Sequence, residues 1–391
     1  MKLRSIVFWP HLIAGVLAGA VILLMCVTGV LLTYERQLIA WADREFQSVT
    51  PDVDAAPLPM DTLVTRVLET EPRLTPTAIT LRADRDSAVA ITAGPRTMYV
   101  DRYTGAVVGE ASRGGVRAFM STLRAWHRWF GVEGEGRDFA RAITGWSNFI
   151  FLFIVMSGVY LWFPRRWGWA QVRNVVLFNG RARGRARDFN WHNVIGSWCA
   201  IPLFVVVLCA MPISFGWFNA FVYRAVGEQP PPPPAGPRGS AAAERPARES
   251  RAATPPLASD AMWDRAKERV ADWRTISLRL PSSPDAPFVF TIDTGDGGQP
   301  HLRSTLTLDG RTGDVAKYEA FSDLTLGRRI RNTMRFAHTG EALGIPGQTV
   351  AGIVSAGGAV LVWTGLSLAL RRFRSWRTRK PSEPARVSNA A

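Results

Sequence analysis

Five histidines are spread over 391 residues, and four of them sit where an imidazole must bind something to be tolerated. His11 opens the apolar run "PHLIAGVLAGAVILLMCVTGVLL", and His192, in "NWHNVIGSWCAIPLF", stands at the head of another. His127, in "STLRAWHRWFG", and His338, in "NTMRFAHTGEALG", each come shortly before an apolar run. Polar groups in hydrocarbon are costly unless satisfied. Zinc prefers four ligands from Cys, His and carboxylate, and calcium and magnesium want oxygen. A proton relay in a membrane uses Asp or Glu, and the apolar runs have neither. Haem iron brings four equatorial nitrogens and needs only axial ligands, a role two histidines fill. No C-x-x-C-H is present, so ordinary covalent attachment is excluded. The pattern predicts two non-covalent haem b groups, one held by His11 and His192, the other by His127 and His338. The fifth histidine, His301 in "GQPHLRST", has no counterpart and reads as a surface residue.

The elements that must place these rings are membrane spans. Crossing a hydrocarbon core of roughly 30 Å takes about 20 helical residues. Four runs are long enough: Val7–Tyr34, Ala142–Phe163, Asn193–Tyr223 and Pro346–Leu370, none with a charged side chain. The first has a basic start but about twice the apolar length of a signal peptide and no small-x-small cleavage site, so it reads as a retained span. The net charge of +15 reports topology: residues 1–8, the loop 164–190 and the tail 371–391 supply +14 of it. All three fall on one side of a four-span plan, which sets both termini in the cytoplasm. A nucleic-acid site is not needed to explain the basicity. Cys26, Cys199 and Cys209 all lie in spans, which excludes an external disulfide, and Cys199 reads as a small hydrophobe rather than a thiolate.

Between the spans two external regions repeat one script. In the first, "PMDTLVTRVLET" predicts an amphipathic helix, followed by the strands "TAITLRA", "AVAITA" and "TMYVDRYTGAVVGE". In the second, "ASDAMWDRAKERVADW" is followed by "TISLRL", "PFVFTID" and "LTLDGRTGDVAKYE". Asp101 and Gly105 match Asp309 and Gly313 at 208 residues, His127 matches His338 at 211, Gly158 matches Gly365 at 207, and His11 matches His192 at 181. The shortfall is explained by the Pro/Ala/Arg-rich insert 229–256, a spacer. The expected fold is therefore membrane α-helical plus α+β, with four transmembrane helices in two parallel repeats.

The expected plan is a first span (1–34), an α+β lobe (35–115), a pre-span helix with the second span (116–163), and a basic loop (164–190). The second half repeats it as a third span (191–223), a Pro-rich linker (224–257), a second lobe (258–322), a pre-span segment with the fourth span (323–370), and a basic tail (371–391). Arg124, Arg128 and Arg335 flank the outer histidines and serve either haem propionates or lipid headgroups. Trp126, Trp129, Trp191 and Trp198 read chiefly as an interfacial belt. With each iron near one face, the haem centres would lie on the order of 20 Å apart across the bilayer. No G-x-G-x-x-G with a Rossmann pattern occurs, so electrons must come from a separate donor.

"YVDRYTGAVVGE" and "LTLDGRTGDVAKYE" resemble PepSY domains. The segments "LRAWHRWFG", "WHNVIGSW" and "FAHTGEALGIPGQTVAGIVSAGGAVLVWTGLSL" resemble the PepSY-associated transmembrane family. The resemblance implies a bacterial inner-membrane protein with periplasmic lobes, linked to iron uptake: a di-haem reductase that releases Fe(II) from a ferric siderophore or other ferric chelate. It carries His11, His192, His127 and His338 over as axial ligands. Some relatives are fused to a flavoprotein reductase module, which these residues do not contain. Two other classes stay open: a non-catalytic PepSY sensor or protease-modulating protein, and a metal permease.

Overall fold

A computed structural model describes residues 3–94, 96–111, 115–163, 168–232, 258–281 and 286–378. Most of the expected Pro-rich linker lies outside the described residues, as do 164–167 of the basic loop and 379–391 of the tail. The first half of the chain forms α1 (Leu3–Leu32), α2 (Glu35–Ala42), α3 (Arg44–Gln47) and α4 (Met60–Thr70), then β1 (Ala78–Arg82), β2 (Val89–Ala93), β3 (Arg96–Val100) and β4 (Val107–Glu110). It continues with α5 (Gly115–Trp129), α6 (Gly136–Trp162) and α7 (Trp169–Val176). The second half forms α8 (Gly184–Ser214), α9 (Gly216–Arg224), α10 (Asp260–Arg269), β5 (Thr275–Arg279), β6 (Phe288–Asp293), β7 (Arg303–Leu308), β8 (Val315–Ala320), α11 (Leu326–His338) and α12 (Gly344–Arg377).

Hydrocarbon offers no hydrogen-bond partners, so an apolar run that crosses it must satisfy its own backbone as a helix. Helices α1, α6, α8 and α12 are long and apolar enough to do so. The third differs from its expected range: α8 starts at Gly184 and stops at Ser214, where Phe215 turns extended and α9 begins. Pro212 lies in its last turn, with no N–H to give the helix. The earlier start brings a carboxylate into the helix. Asp188 is buried, and its charge is met by Arg187 at 2.9 Å, Arg371 at 3.5 Å and the Ser367 hydroxyl at 2.8 Å.

By packing, the chain divides into two units. One comprises residues 1–30, 126–208 and 350–391. Its interior holds Ala18, Ile22, Cys26, Phe151, Val155, Cys199, Leu203, Val207 and Val354. Lipid tails are as apolar as leucine, so such helices gain by close fit rather than by leaving water. Glycines supply that fit. A Cβ on Gly357 would stand 2.6 Å from Cys199 Sγ, and one on Gly358 would stand 2.9 Å from Cys26 Sγ. Leu17, Trp198 and Ile201 are largely exposed, as side chains facing lipid would be.

The other unit, residues 31–125 and 209–349, contains an antiparallel sheet. Its strand order is β4-β3-β2-β1-β5-β6-β7-β8. The two expected α+β lobes thus share one eight-stranded sheet, joined where β1 pairs with β5. Thr80 faces Ser277 at the middle of that seam, with their hydroxyls 3.0 Å apart. The strands alternate inward and outward residues, and the inward row packs on α4 and α10 through Leu63, Val67, Trp263, Phe288 and Phe290. Trp263 meets Phe290 edge to face at 5.2 Å. The opposite face carries a smaller cluster of Val49, Ala88, Ala90, Tyr99 and Ala111.

The two halves of the sheet repeat local detail. A register shift falls between Tyr99 and Val100 in one and between Thr307 and Leu308 in the other. In the turns that follow, Asp101 Oδ1 accepts from the Tyr103 and Thr104 amides, and Asp309 Oδ1 accepts from those of Arg311 and Thr312. Gly105 and Gly313 close these turns at φ 73° and 70°, a region that favours glycine.

Candidate functional site

The first unit holds three of the four histidines, and each is anchored in the same way. His11 Nδ1 lies 2.9 Å from Ser157 Oγ, His192 Nδ1 lies 3.0 Å from Thr364 Oγ1, and His127 Nδ1 lies 2.9 Å from Thr28 Oγ1. A hydroxyl has one proton to give. Ser157 donates its own to the Phe153 carbonyl at 2.7 Å, Thr364 to Val360 at 2.8 Å, and Thr28 to Leu24 at 2.7 Å. This is the back-bond that Ser and Thr make inside helices. With its proton spent, each hydroxyl accepts from the imidazole, so the hydrogen-bond pattern assigns the proton to Nδ1. Nε2 is then the nitrogen that carries the lone pair in each ring. That is the state of a metal-ligating histidine whose other nitrogen is held by an outer partner.

Glycine completes each anchor. Ser157, Thr364 and Thr28 are followed by Gly158, Gly365 and Gly29. A Cβ on these glycines would lie 3.4 Å from His11 Cε1, 3.3 Å from His192 Cε1 and 3.7 Å from His127 Cε1. At Gly158 and Gly365 the absent side chain lets the ring lie against the neighbouring helix, whereas at Gly29 a Cβ would make ordinary contact, with Ser355 Oγ nearest at 3.5 Å. Neither the Ser/Thr residues nor Gly29 were picked out by reading the sequence. The signal was there as a repeated Ser/Thr-Gly step, 207 residues apart between Ser157-Gly158 and Thr364-Gly365.

His11 and His192 both belong to the first unit, on α1 and α8. His127 is held at another level. Its partner Thr28 is 17 residues along α1 from His11, about 25 Å of helix axis. His338 belongs to the second unit, where it is the half-buried last residue of α11. His301 is exposed, in the 3-10 turn Pro300–Leu302.

The remaining expected side chains are placed as follows. Arg124 is engaged by Glu35 at 3.1 Å. Burial lifts the Glu35 carboxyl above its usual range, against the pull of Arg124. The Arg128 guanidinium lies over Trp129 and that of Arg335 over Phe336. Trp126, Trp191 and Trp198 are exposed, and Trp129 lies under both Arg128 and Arg137. All three cysteines are buried and free.

Among the described residues, no three or more His, Cys, Asp or Glu side chains gather as a metal site. The donors offered by His11, His192 and His127 are imidazoles whose Nε2 carries the lone pair, which fits an iron that brings its own equatorial ligands better than a tetrahedral zinc. A family model described as the PepSY-associated TM region matches residues 8–372. The chain belongs to this family. It is a multi-pass membrane protein of the PepSY-associated kind, with four membrane-capable helices and an antiparallel α+β sheet. No curated protein matches the chain.

Proposed function

We propose that this PepSY-associated protein is an inner-membrane electron carrier with two bis-histidine haem b groups, His11 with His192 and His127 with His338. In this reading it reduces a periplasmic ferric chelate, with a ferric siderophore as the leading substrate. The observation that carries it is the repeated anchor of Nδ1 on Ser157, Thr364 and Thr28, which puts the lone pair of His11, His192 and His127 on Nε2. Haem, when bound, supplies one-electron chemistry. The chain's own residues orient the ligands, exclude water from the apolar interior and keep two histidine levels apart along α1. Siderophores hold Fe(III) far more tightly than Fe(II), so accepting one electron is itself the release step. The electron comes from a separate donor.

The same reading takes the molecule as two parallel repeats with cytoplasmic termini and periplasmic lobes. It is supported by the offset of 207 residues between the Ser157 and Thr364 anchors, by the mirrored strand order, and by the basic segments on one side of the spans. The test is the optical spectrum of the purified protein with a haem count. The expected result is two haems per chain with sharp reduced α and β bands. His11→Ala or His192→Ala removes one haem, and His127→Ala or His338→Ala removes the other. Full occupancy in all four variants would overturn the pairing.

A further inference from the structure

Helix α11 carries more cations than the acids around it answer. Arg328 is met by Glu319 through two hydrogen bonds, at 2.7 and 3.0 Å. Among the described residues, no acid meets Arg331. Its Nε donates to Asn219 Oδ1 at 2.7 Å and its Nη2 to the Pro212 carbonyl at 3.4 Å, both neutral acceptors. Arg331, Arg335 and His338 are spaced four and three apart, so they share one face of α11. The side chain of Arg331 is half-buried, and burial, joined by the charge of Arg335 and opposed by Tyr223, holds its guanidinium below the usual range. A desolvated cation with only neutral partners and a like charge next to it calls for an anion.

We propose that Arg331 and Arg335 form a binding site for a carboxylate, on the face of α11 that carries His338. The choice of carboxylate follows from the geometry. Asn219 and the Pro212 carbonyl fix one edge of the Arg331 guanidinium and leave its other N–H donors pointing elsewhere in a rigid plane. A planar fork held this way matches a planar two-oxygen acceptor. Arg335, exposed and stacked on Phe336, can close on the same group. Two sources supply such a carboxylate next to His338: the propionates of a porphyrin ligated there, or the acid arms of a ferric chelate. The first source rests on the haem reading above, and the second does not.

The experiment uses the full chain in detergent, with Arg331→Gln, Arg335→Gln and Arg331→Lys. Protohaem and its dimethyl ester are titrated in a His11→Ala background, and ferric citrate and a neutral ferric trihydroxamate are titrated on the parent. If propionates are the ligand, the Gln variants bind protohaem about tenfold more weakly, the loss of one charge-assisted hydrogen bond, and bind the ester unchanged. If a chelate is the ligand, the same loss falls on ferric citrate and spares the trihydroxamate. Arg331→Lys, which keeps the charge and loses the fork, recovers part of either affinity and shows that the fold is intact. Equal behaviour toward acid and ester, together with unchanged citrate binding, overturns the site. Release of bound anionic phospholipid as the sole effect also overturns it. Failure of the parent to take up haem would sink the haem reading and leave the citrate arm to judge the carboxylate site.

Discussion

His192 Nδ1 and Thr364 Oγ1 lie 3.0 Å apart, and the threonine proton is already spent on the Val360 carbonyl. His11 and Ser157 repeat this relation at 2.9 Å. Removing the acceptor frees the ring to rotate and to change tautomer. On the proposed haem reading, Ser157→Ala and Thr364→Ala are therefore expected to weaken haem binding at the His11–His192 level by about 10–100-fold, the usual cost of losing a partner behind a ligand. Ser157→Thr and Thr364→Ser keep the hydroxyl and retain affinity. Soret titration checks this, and unchanged affinity in the alanine variants would mean the hydroxyls are mere packing.

The glycines behind the rings give a steric version of the same test. A methyl on Gly158 or Gly365 arrives 3.4 or 3.3 Å from the imidazole Cε1, tight enough to push the ring. Gly15 lies in the same span as His11 with nothing within 4 Å of its Cβ position. On the same proposed reading, Gly158→Ala and Gly365→Ala should each lower haem occupancy and shift the low-spin signal in electron paramagnetic resonance. Gly15→Ala should leave both alone and gain up to about 1 kcal/mol in helix propensity. Equal effects at all three positions would refute the ring-contact argument.

How far the sequence reached follows from what each feature depends on. Span positions were legible because hydropathy is a local property, and strands such as "TISLRL" and "PFVFTID" because alternation is local too. The seam between β1 and β5 was not legible. Thr80 and Ser277 are 197 residues apart, and nothing near either one encodes the pairing. The end of the third span was misplaced because Phe215 and its neighbours are as apolar as the helix before them, so composition ran on past the break. The histidines stood out by rarity. Their partners did not, because Ser and Thr are common in spans, and only the Ser/Thr-Gly step recurring at a fixed offset marked these. Arg331 was missed for the opposite reason: in a helix with four arginines, no spacing rule says which one lacks an acid.

The shared sheet makes a prediction about cooperativity. Phe290 is fully buried on β6 against Trp263, so Phe290→Ala opens a cavity at a cost of about 3–5 kcal/mol. Because β1 and β5 are hydrogen-bonded along the seam, the loss should reach β2 and β3 as well. Amide hydrogen exchange on the full chain is expected to speed up in peptides covering Val89–Ala93 as well as in those covering Phe288–Asp293. Faster exchange confined to β5–β8 would show that the two halves of the sheet open independently.

Glu319 supplies the pH dependence. Hydrogen bonds from Arg328, then from Lys317, hold its carboxyl down to about 2, whereas an unfolded chain leaves a glutamate near about 4.3. The folded state therefore binds fewer protons in this window, and the pair's contribution is complete above the unfolded value and lost as pH falls toward the folded one. Arg328 is partly exposed, so solvent screening limits the contribution to about 1 kcal/mol or less. The thermal midpoint of the full chain in detergent, followed by tryptophan fluorescence between about pH 5 and pH 2, should fall less steeply in Glu319→Gln than in the parent. The two chains should converge at the acid end, where the parent's Glu319 is protonated as well. Parallel curves across the whole window would mean that the Arg328–Glu319 bridge, which joins β8 to α11, contributes nothing the solvent does not already offer.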